Sequence, residues 1–288
     1  MLDRLLVAAA NSNGQPGATN QNLEQIAHHA SRAAAQQAKL VLFPELSLTG
    51  FLPNHPEGSH AAWLREALQL ARNTAERLDG PAVKALTRAA QQIGIYIAAG
   101  ILEDAGNVLY NTHILVGPQG LAGYWRKMHV PMFEMPFYNG GPSPTVVDTP
   151  LGRLGVNICF DALMPESTRL LAVQNVEIVL YPFAADPPPV TPQGWSAWAG
   201  PALRSRSQEN GVFGIATNYI GSVSAVGVGQ TFPGGAMITG PRGEVLAEQG
   251  EGDLLLQELD AADLRAARAE PEYLFRFRRP ELYGSLAR

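Results

Sequence analysis

Cysteine is nearly absent: among 288 residues there is one, Cys159, so no internal disulfide can form. A reducing, cytoplasmic compartment is the expectation for such a chain. Long apolar runs are missing as well. None approaches the ~18 residues needed to span a bilayer. The apolar stretch Leu5 to Ala10 follows Asp3, which suits a first core strand better than a secretory signal. No excess of basic charge is present to meet phosphates; the formal net charge is −5. Neither a membrane nor a nucleic acid is therefore an expected partner. His28, His29, His55, His60, His113 and His129 show no metal-ligand spacing on one helix. No Gly-x-Ser-x-Gly elbow, Walker A loop or Gly-x-Gly-x-x-Gly loop occurs. Those absences argue against a serine hydrolase, an ATP-driven amide-forming enzyme and a dinucleotide enzyme.

What is present is a well-packed alternation of strands and helices, with 46% hydrophobic residues. Strands are expected over Leu5 to Ala10, Lys39 to Glu45, Ile95 to Glu103, His113 to Gly117 and Gly123 to His129. Further strands are expected over Leu154 to Cys159, Glu177 to Phe183, Val212 to Asn218 and Leu254 to Leu259. Several are continuous Val/Ile/Leu runs, the mark of strands buried on both faces. Leu23, Ile26, Ala27, Ala30 and Ala34 recur at helical spacing behind the capping candidates Thr19 and Asn20. Other helices are expected after Gly80-Pro81, over Glu166 to Gln174 and over Gly200 to Asn210. Asp186 to Trp195 reads as a stiff proline-rich loop. Turns at Gly117-Pro118-Gln119-Gly120 and Gly240-Pro241-Arg242-Gly243 make two similar hairpins. Two mixed sheets packed together with helices outside follow from that pattern. No linker breaks the chain, so residues 1–288 are expected to form one domain.

Three groups suited to chemistry lie at the ends of apolar segments. Cys159 closes Leu154-Gly155-Val156-Asn157-Ile158-Cys159, and Pro165 opens a helix soon after. A thiol at a strand-to-helix exit can act as a nucleophile, and amide dipoles there favour its thiolate. Glu45 ends Leu40-Val41-Leu42-Phe43-Pro44, where desolvation raises a carboxyl toward the pKa of a working base. Lys127 lies in Trp125-Arg126-Lys127-Met128-His129; in extended backbone Trp125, Lys127 and His129 share a face. A lysine there can steady an oxyanion, and Glu134, an isolated acid in an aromatic loop, can pair with it. Each residue also has an ordinary reading: a small core thiol, a surface acid, an edge-strand lysine, a loop acid.

The blocks Phe43-Pro44-Glu45-Leu46, Arg126-Lys127-Met128-His129 and Gly155-Val156-Asn157-Ile158-Cys159-Phe160-Asp161, followed by Pro165-Glu166 and Arg169, resemble those of the nitrilase superfamily of carbon–nitrogen hydrolases. The likeness extends to Tyr110-Asn111-Thr112, to Arg206, Glu209 and Asn210, and to the tail Arg278-Arg279-Pro280-Glu281-Leu282-Tyr283. It implies a four-layer αββα sandwich and a Glu-Lys-Cys triad: Cys159 as nucleophile, Glu45 as general base, Lys127 as oxyanion stabiliser. The backbone N–H of Phe160 would be a second oxyanion donor, and Glu134 matches an additional glutamate of many members. The resemblance also implies no metal or organic cofactor, and homodimers or larger homo-oligomers. Residues 266–288 are expected to form a C-terminal tail in a subunit contact, since the basic stretch Arg276 to Arg279 sits in an acidic chain. Two departures stand out: Phe160 where tyrosine or tryptophan is usual, and Leu163-Met164 in place of a more aromatic pair.

The lysine block lacks the following leucine and proline-threonine pair usual in nitrile-cleaving members. The expected substrate is therefore a small linear amide or N-carbamoyl compound, cleaved through a thioester with release of ammonia. The alternatives are a nitrilase and a non-catalytic interaction protein of the same fold. Tyr138, Phe183, Trp195 and Trp198 are candidates to wall the substrate pocket, because large amphipathic rings can line a cleft.

Overall fold

Alternation within the strands decides which side chains face which layer. In a computed structural model that describes residues 1–54, 60–249 and 252–287, the chain opens with β1 (Arg4–Ala10), β2 (Leu40–Leu42), β3 (Tyr96–Asp104), β4 (Leu109–Gly117) and β5 (Gly120–Arg126). A second group follows: β6 (Val147–Thr149), β7 (Gly152–Val156), β8 (Ile178–Pro182) and β9 (Phe213–Thr217). The hairpin β10 (Ile220–Ala225) and β11 (Val228–Pro233) leads to β12 (Ala236–Thr239), β13 (Val245–Gln249) and β14 (Leu254–Asp260). One mixed sheet has the order β14-β1-β2-β3-β4-β5 and the other β13-β12-β9-β8-β7-β6.

On β1, Val7 and Ala9 join a core cluster shared with β7, β8 and β9, while Ala8 and Ala10 join one shared with the first-sheet helices. On β2, Leu40 and Leu42 face the second sheet and Val41 the helices. This period of two, apolar on both faces, is what a sheet covered on both sides demands. The covering helices are α1 (Thr19–Ala35), α2 (His60–Thr74) and α3 (Pro81–Ile93) early in the chain. Then come α4 (Pro165–Ala172), α5 (Pro192–Asn210) and α6 (Ala261–Ala269). The result is a four-layer αββα sandwich, as expected. No helix among the described residues is long and apolar enough to cross a membrane.

Several sequence expectations need correction. Neither Thr19 nor Asn20 caps α1; the N-cap position is Ala18, without a side-chain cap. β2 stops at Leu42: the Phe43 N–H still donates to the Ala98 carbonyl at 2.8 Å, but Pro44 has no N–H to continue the ladder. β5 ends at Arg126 and β7 at Val156, so Lys127 and Cys159 lie just beyond strands, not within them. The proline-rich loop ends at Thr191, whose hydroxyl accepts from the Gly194 N–H at 3.0 Å and caps α5. Trp195 is therefore helical. Helices α2 and α6 and the hairpin β10–β11 were not anticipated. His55 and Arg288 lie outside the described residues. Beyond residue 266 the tail leaves Leu274, Phe277 and Leu282 exposed.

Candidate active site

Glu45, Lys127 and Cys159 reach one place because three segments turn sharply just past their strands. After Glu45 the backbone enters the left-handed region at Leu46, φ 52°. The turn packs so tightly on β3 that a Cβ at Gly100 would lie 2.1 Å from the Leu46 nitrogen. Ser47 Oγ accepts from the Gly100 N–H at 3.1 Å and the Leu48 N–H donates to the Gly100 carbonyl at 2.8 Å, locking this approach. Lys127 is held by its own backbone, donating to the Asn111 carbonyl at 2.8 Å and accepting from the Gly141 N–H at 2.7 Å. Cys159 has φ 49° and opens a short 3-10 turn, Cys159–Leu163. A non-glycine residue in that region is strained, and such strain collects at functional sites.

Five fully or nearly buried polar side chains meet there. Lys127 Nζ donates to Glu45 Oε1 at 2.7 Å and to Glu134 Oε2 at 2.6 Å. Asn111 Nδ2 donates to Glu45 Oε1 at 2.6 Å, and the Tyr138 hydroxyl donates to Glu134 Oε2. Glu45 Oε2 is buried without a regular hydrogen-bond partner. The Cys159 side chain is a near neighbour of this carboxyl and favours its charged form. Burial drives the Glu45 pKa up to about 7, against the opposing pull of Lys127. For Lys127 burial acts downward, but Glu134 and Glu45 together outweigh it and hold the ammonium charged. Burial, and then the Glu45 charge, push the Cys159 thiol well above its ordinary value. The expected dipole-stabilised thiolate is thus corrected: the resting group is a thiol that needs a base.

A residue of the cysteine block to which the sequence assigned no role ties these segments together. Asp161, 1% exposed, accepts from the backbone N–H groups of Met128 at 3.2 Å, His129 at 2.8 Å and Ile158 at 3.2 Å. One carboxylate thus fixes the segment after Lys127 to the residue before Cys159. His129 Nδ1 bonds Oδ1 of the same carboxylate at 2.8 Å, which raises the imidazole pKa. From α5, Arg206 donates to the carbonyls of Ala162 and Leu163, both at 3.3 Å, and holds the far end of the turn. The acid two residues beyond Cys159 was the available signal for this role, but only the fold shows what it grips.

Cys159 opens into a cavity of about 370 Å³, also lined by Glu134, Phe160 and Trp198. Phe183 and Trp195 do not line it. Both are fully buried and stack edge-to-face on each other, with Phe183 packed likewise on Trp198. They back the wall that Trp198 presents. Tyr138 borders a smaller adjoining space beside Leu46 and Glu134. Asn54, Asp186 and Gln230 line the main cavity and were not anticipated.

The carbon–nitrogen hydrolase family pattern matches residues 6–269. A nitrilase from Pyrococcus abyssi is 32% identical over 255 residues, covering 87% of this chain and 88% of that protein. An (R)-stereoselective amidase from Pseudomonas sp. is 32% identical over 266 residues, covering 91% and 87%. The crystal structure of a carbon–nitrogen hydrolase from Helicobacter pylori G27 superposes with a TM-score of 0.82 at 21% identity, covering 99% of each chain. Its likeness is one of fold. Matched along nearly its whole length in both sequence and architecture, the chain belongs to the carbon–nitrogen hydrolase family.

Proposed function

We propose that the protein hydrolyses the C–N bond of a small linear amide or N-carbamoyl compound, with Cys159 as nucleophile and a thioester intermediate. The observation that carries this reading is the position of Glu45. One carboxylate oxygen is held by Lys127 and Asn111, while the other is buried, unpaired and beside a cavity-facing thiol. With a pKa near 7, Glu45 can both take and return a proton at neutral pH.

In the first half-reaction Glu45 removes the thiol proton as Cys159 Sγ bonds to the carbonyl carbon. The C=O electron pair moves to oxygen, where Lys127 Nζ and the Phe160 N–H donate to it. Phe160 sits in the first turn of the 3-10 segment, where N–H groups have no partner within the helix. Collapse of the intermediate breaks the C–N bond, and Glu45 protonates the departing nitrogen as ammonia. In the second half-reaction water gives a proton to Glu45 and its oxygen attacks the thioester. The C–S bond breaks, the proton returns to sulfur, and the acid leaves. Glu134, on the wall of the same cavity, fixes and neutralises Lys127, and Tyr138 fixes Glu134.

An amide is favoured over a nitrile by the lysine block, which lacks the leucine and proline-threonine pair of nitrile-cleaving members. The test is ammonia release from a panel of linear amides, N-carbamoyl compounds and nitriles by the wild-type and Cys159→Ala proteins. Turnover of an amide or carbamoyl compound that vanishes in Cys159→Ala, with an unchanged circular dichroism spectrum, is expected. Wild-type turnover of nitriles alone would overturn the substrate class. Activity surviving in Cys159→Ala would overturn the mechanism.

A further inference from the structure

The cavity in front of Cys159 is lined unevenly. Phe51, Phe160, Trp198 and the prolines Pro187 and Pro188 make it largely apolar. Set into that apolar wall are Asn54, Asp186 and Gln230, from the segment after Glu45, the segment after β8 and the strand β11. They are joined to one another. Gln230 Nε2 donates to Asp186 Oδ2 at 3.2 Å, and Gln230 Oε1 accepts from the Asn54 N–H at 3.3 Å. Gln230 thereby uses one of its two N–H donors and its acceptor on the group itself.

What remains on this wall is one uncompensated charge. Asn54 is 8% exposed, and its Oδ1 is buried with no hydrogen-bond partner. Among the described residues, the Asp186 carboxylate is bonded only by a neutral amide, and no lysine, arginine or histidine lines the cavity. Lys127 is not on this wall; its Nζ lies with Glu45 and Glu134. A carboxylate without a cationic partner at the edge of an apolar channel matches a group that is cationic and carries N–H donors. It repels an anion.

We propose that Asp186, Asn54 and Gln230 form a subsite for the ammonium end of the substrate, joined by a short aliphatic spacer to the amide or N-carbamoyl carbonyl that Cys159 attacks. The proposal rests on the reading of Cys159 as nucleophile and narrows its substrate class. Asp186 receives the N–H donors, and the aromatic and proline walls cover the methylenes. Substrates whose far end is a free carboxylate, such as N-carbamoyl amino acids, are disfavoured because nothing on the described wall neutralises them.

The test is calorimetric binding to the full-length Cys159→Ala protein, which reads recognition without turnover. The probes are γ-aminobutyramide and its longer ω-amino homologues, the matching uncharged primary amides, and succinamate. At least one amino amide is expected to bind about tenfold or more tighter than its uncharged counterpart, as for one hydrogen-bonded ion pair. Succinamate should bind weakest. In Cys159→Ala/Asp186→Asn, with an unchanged melting temperature, the preference should fall to parity. Equal binding of every charged and uncharged pair would overturn the subsite, as would a preference that survives Asp186→Asn. Turnover of neutral amides by the wild-type enzyme without any charge preference would remove this inference alone. Absence of turnover on every amide would remove the hydrolase reading while the binding result still decided the subsite.

Discussion

Arg126 and Lys127 are adjacent cations, each paired with a buried glutamate, and they serve different ends. Arg126 meets Glu103 in a closed arrangement: Nε donates to Oε2 at 2.8 Å and Nη2 to Oε1 at 2.6 Å, and Thr112 Oγ1 completes Oε2 at 2.6 Å. Both carboxylate oxygens are occupied and the guanidinium stacks on Tyr110. Lys127 turns the opposite way, between the sheets, and meets two carboxylates with one charge. There Glu45 keeps an oxygen with no regular partner. A satisfied ion pair holds strands together and has no capacity left for chemistry. An under-satisfied one is costly to fold around, and the unpaired oxygen is the place where a proton can go.

The largest test of this contrast is Lys127→Met, which is close in volume and without charge. It removes an oxyanion donor, an effect of about 100- to 1000-fold in kcat. Arg126→Met should leave kcat within a few-fold, since Arg126 touches neither Glu45 nor Cys159. It should instead lower stability by about 3 kcal/mol, the lower range for stripping the partner from a buried charge, because part of the Arg126 side chain reaches water. Urea melts and steady-state ammonia release on both variants separate the two roles. Equal losses of kcat would show that the two pairs do not divide the work in this way.

How much of this was legible in the sequence follows from the same contrast. Glu45, Lys127 and Cys159 could be picked out because each sits in a short block with a strand before it, and Glu134 because it is an isolated acid in an aromatic loop. Their convergence depends on long-range packing that no window of sequence contains, such as the Gly100 approach to Leu46 and the Asp161 clamp. Helix α2 buries Trp63, Ala67 and Ala71 along one stripe, but two of those three are alanines, so its apolar periodicity was weak. The start of α5 was hidden by Pro192, Gly194 and Pro201, residues that punctuate loops more often than helices. Trp195 and Trp198 lie only three residues apart, yet one is core and the other cavity wall. Composition cannot tell those two fates apart; the orientation of α5 against Phe183 does. Asn54 and Gln230 carry no motif at all, and only the fold brings them to the substrate side.

The smallest expected effect is also the one that probes Glu45 most directly. A base with a pKa near 7 is mostly protonated, and so inactive, in weak acid, while the Cys159 thiol stays protonated well past neutrality. The kcat/KM profile should therefore fall with decreasing pH below about 7, approaching tenfold per unit, and stay level on the alkaline side until the thiol itself titrates. Stability should move the other way. The folded Glu45 carboxyl is raised from 4.5 to about 7, so between those values the folded state binds more protons than the unfolded one. By linkage its contribution favours folding below pH 4.5 and is lost as pH rises through 7. Glu45→Gln removes that dependence: melting temperature plotted against pH should lose the decline across this window, and the residual activity should lose its acid limb. A wild-type rate that is flat down to pH 5 would mean the proton goes elsewhere. The unpaired oxygen that distinguishes Glu45 from Glu103 would then be a packing defect with no part in the chemistry.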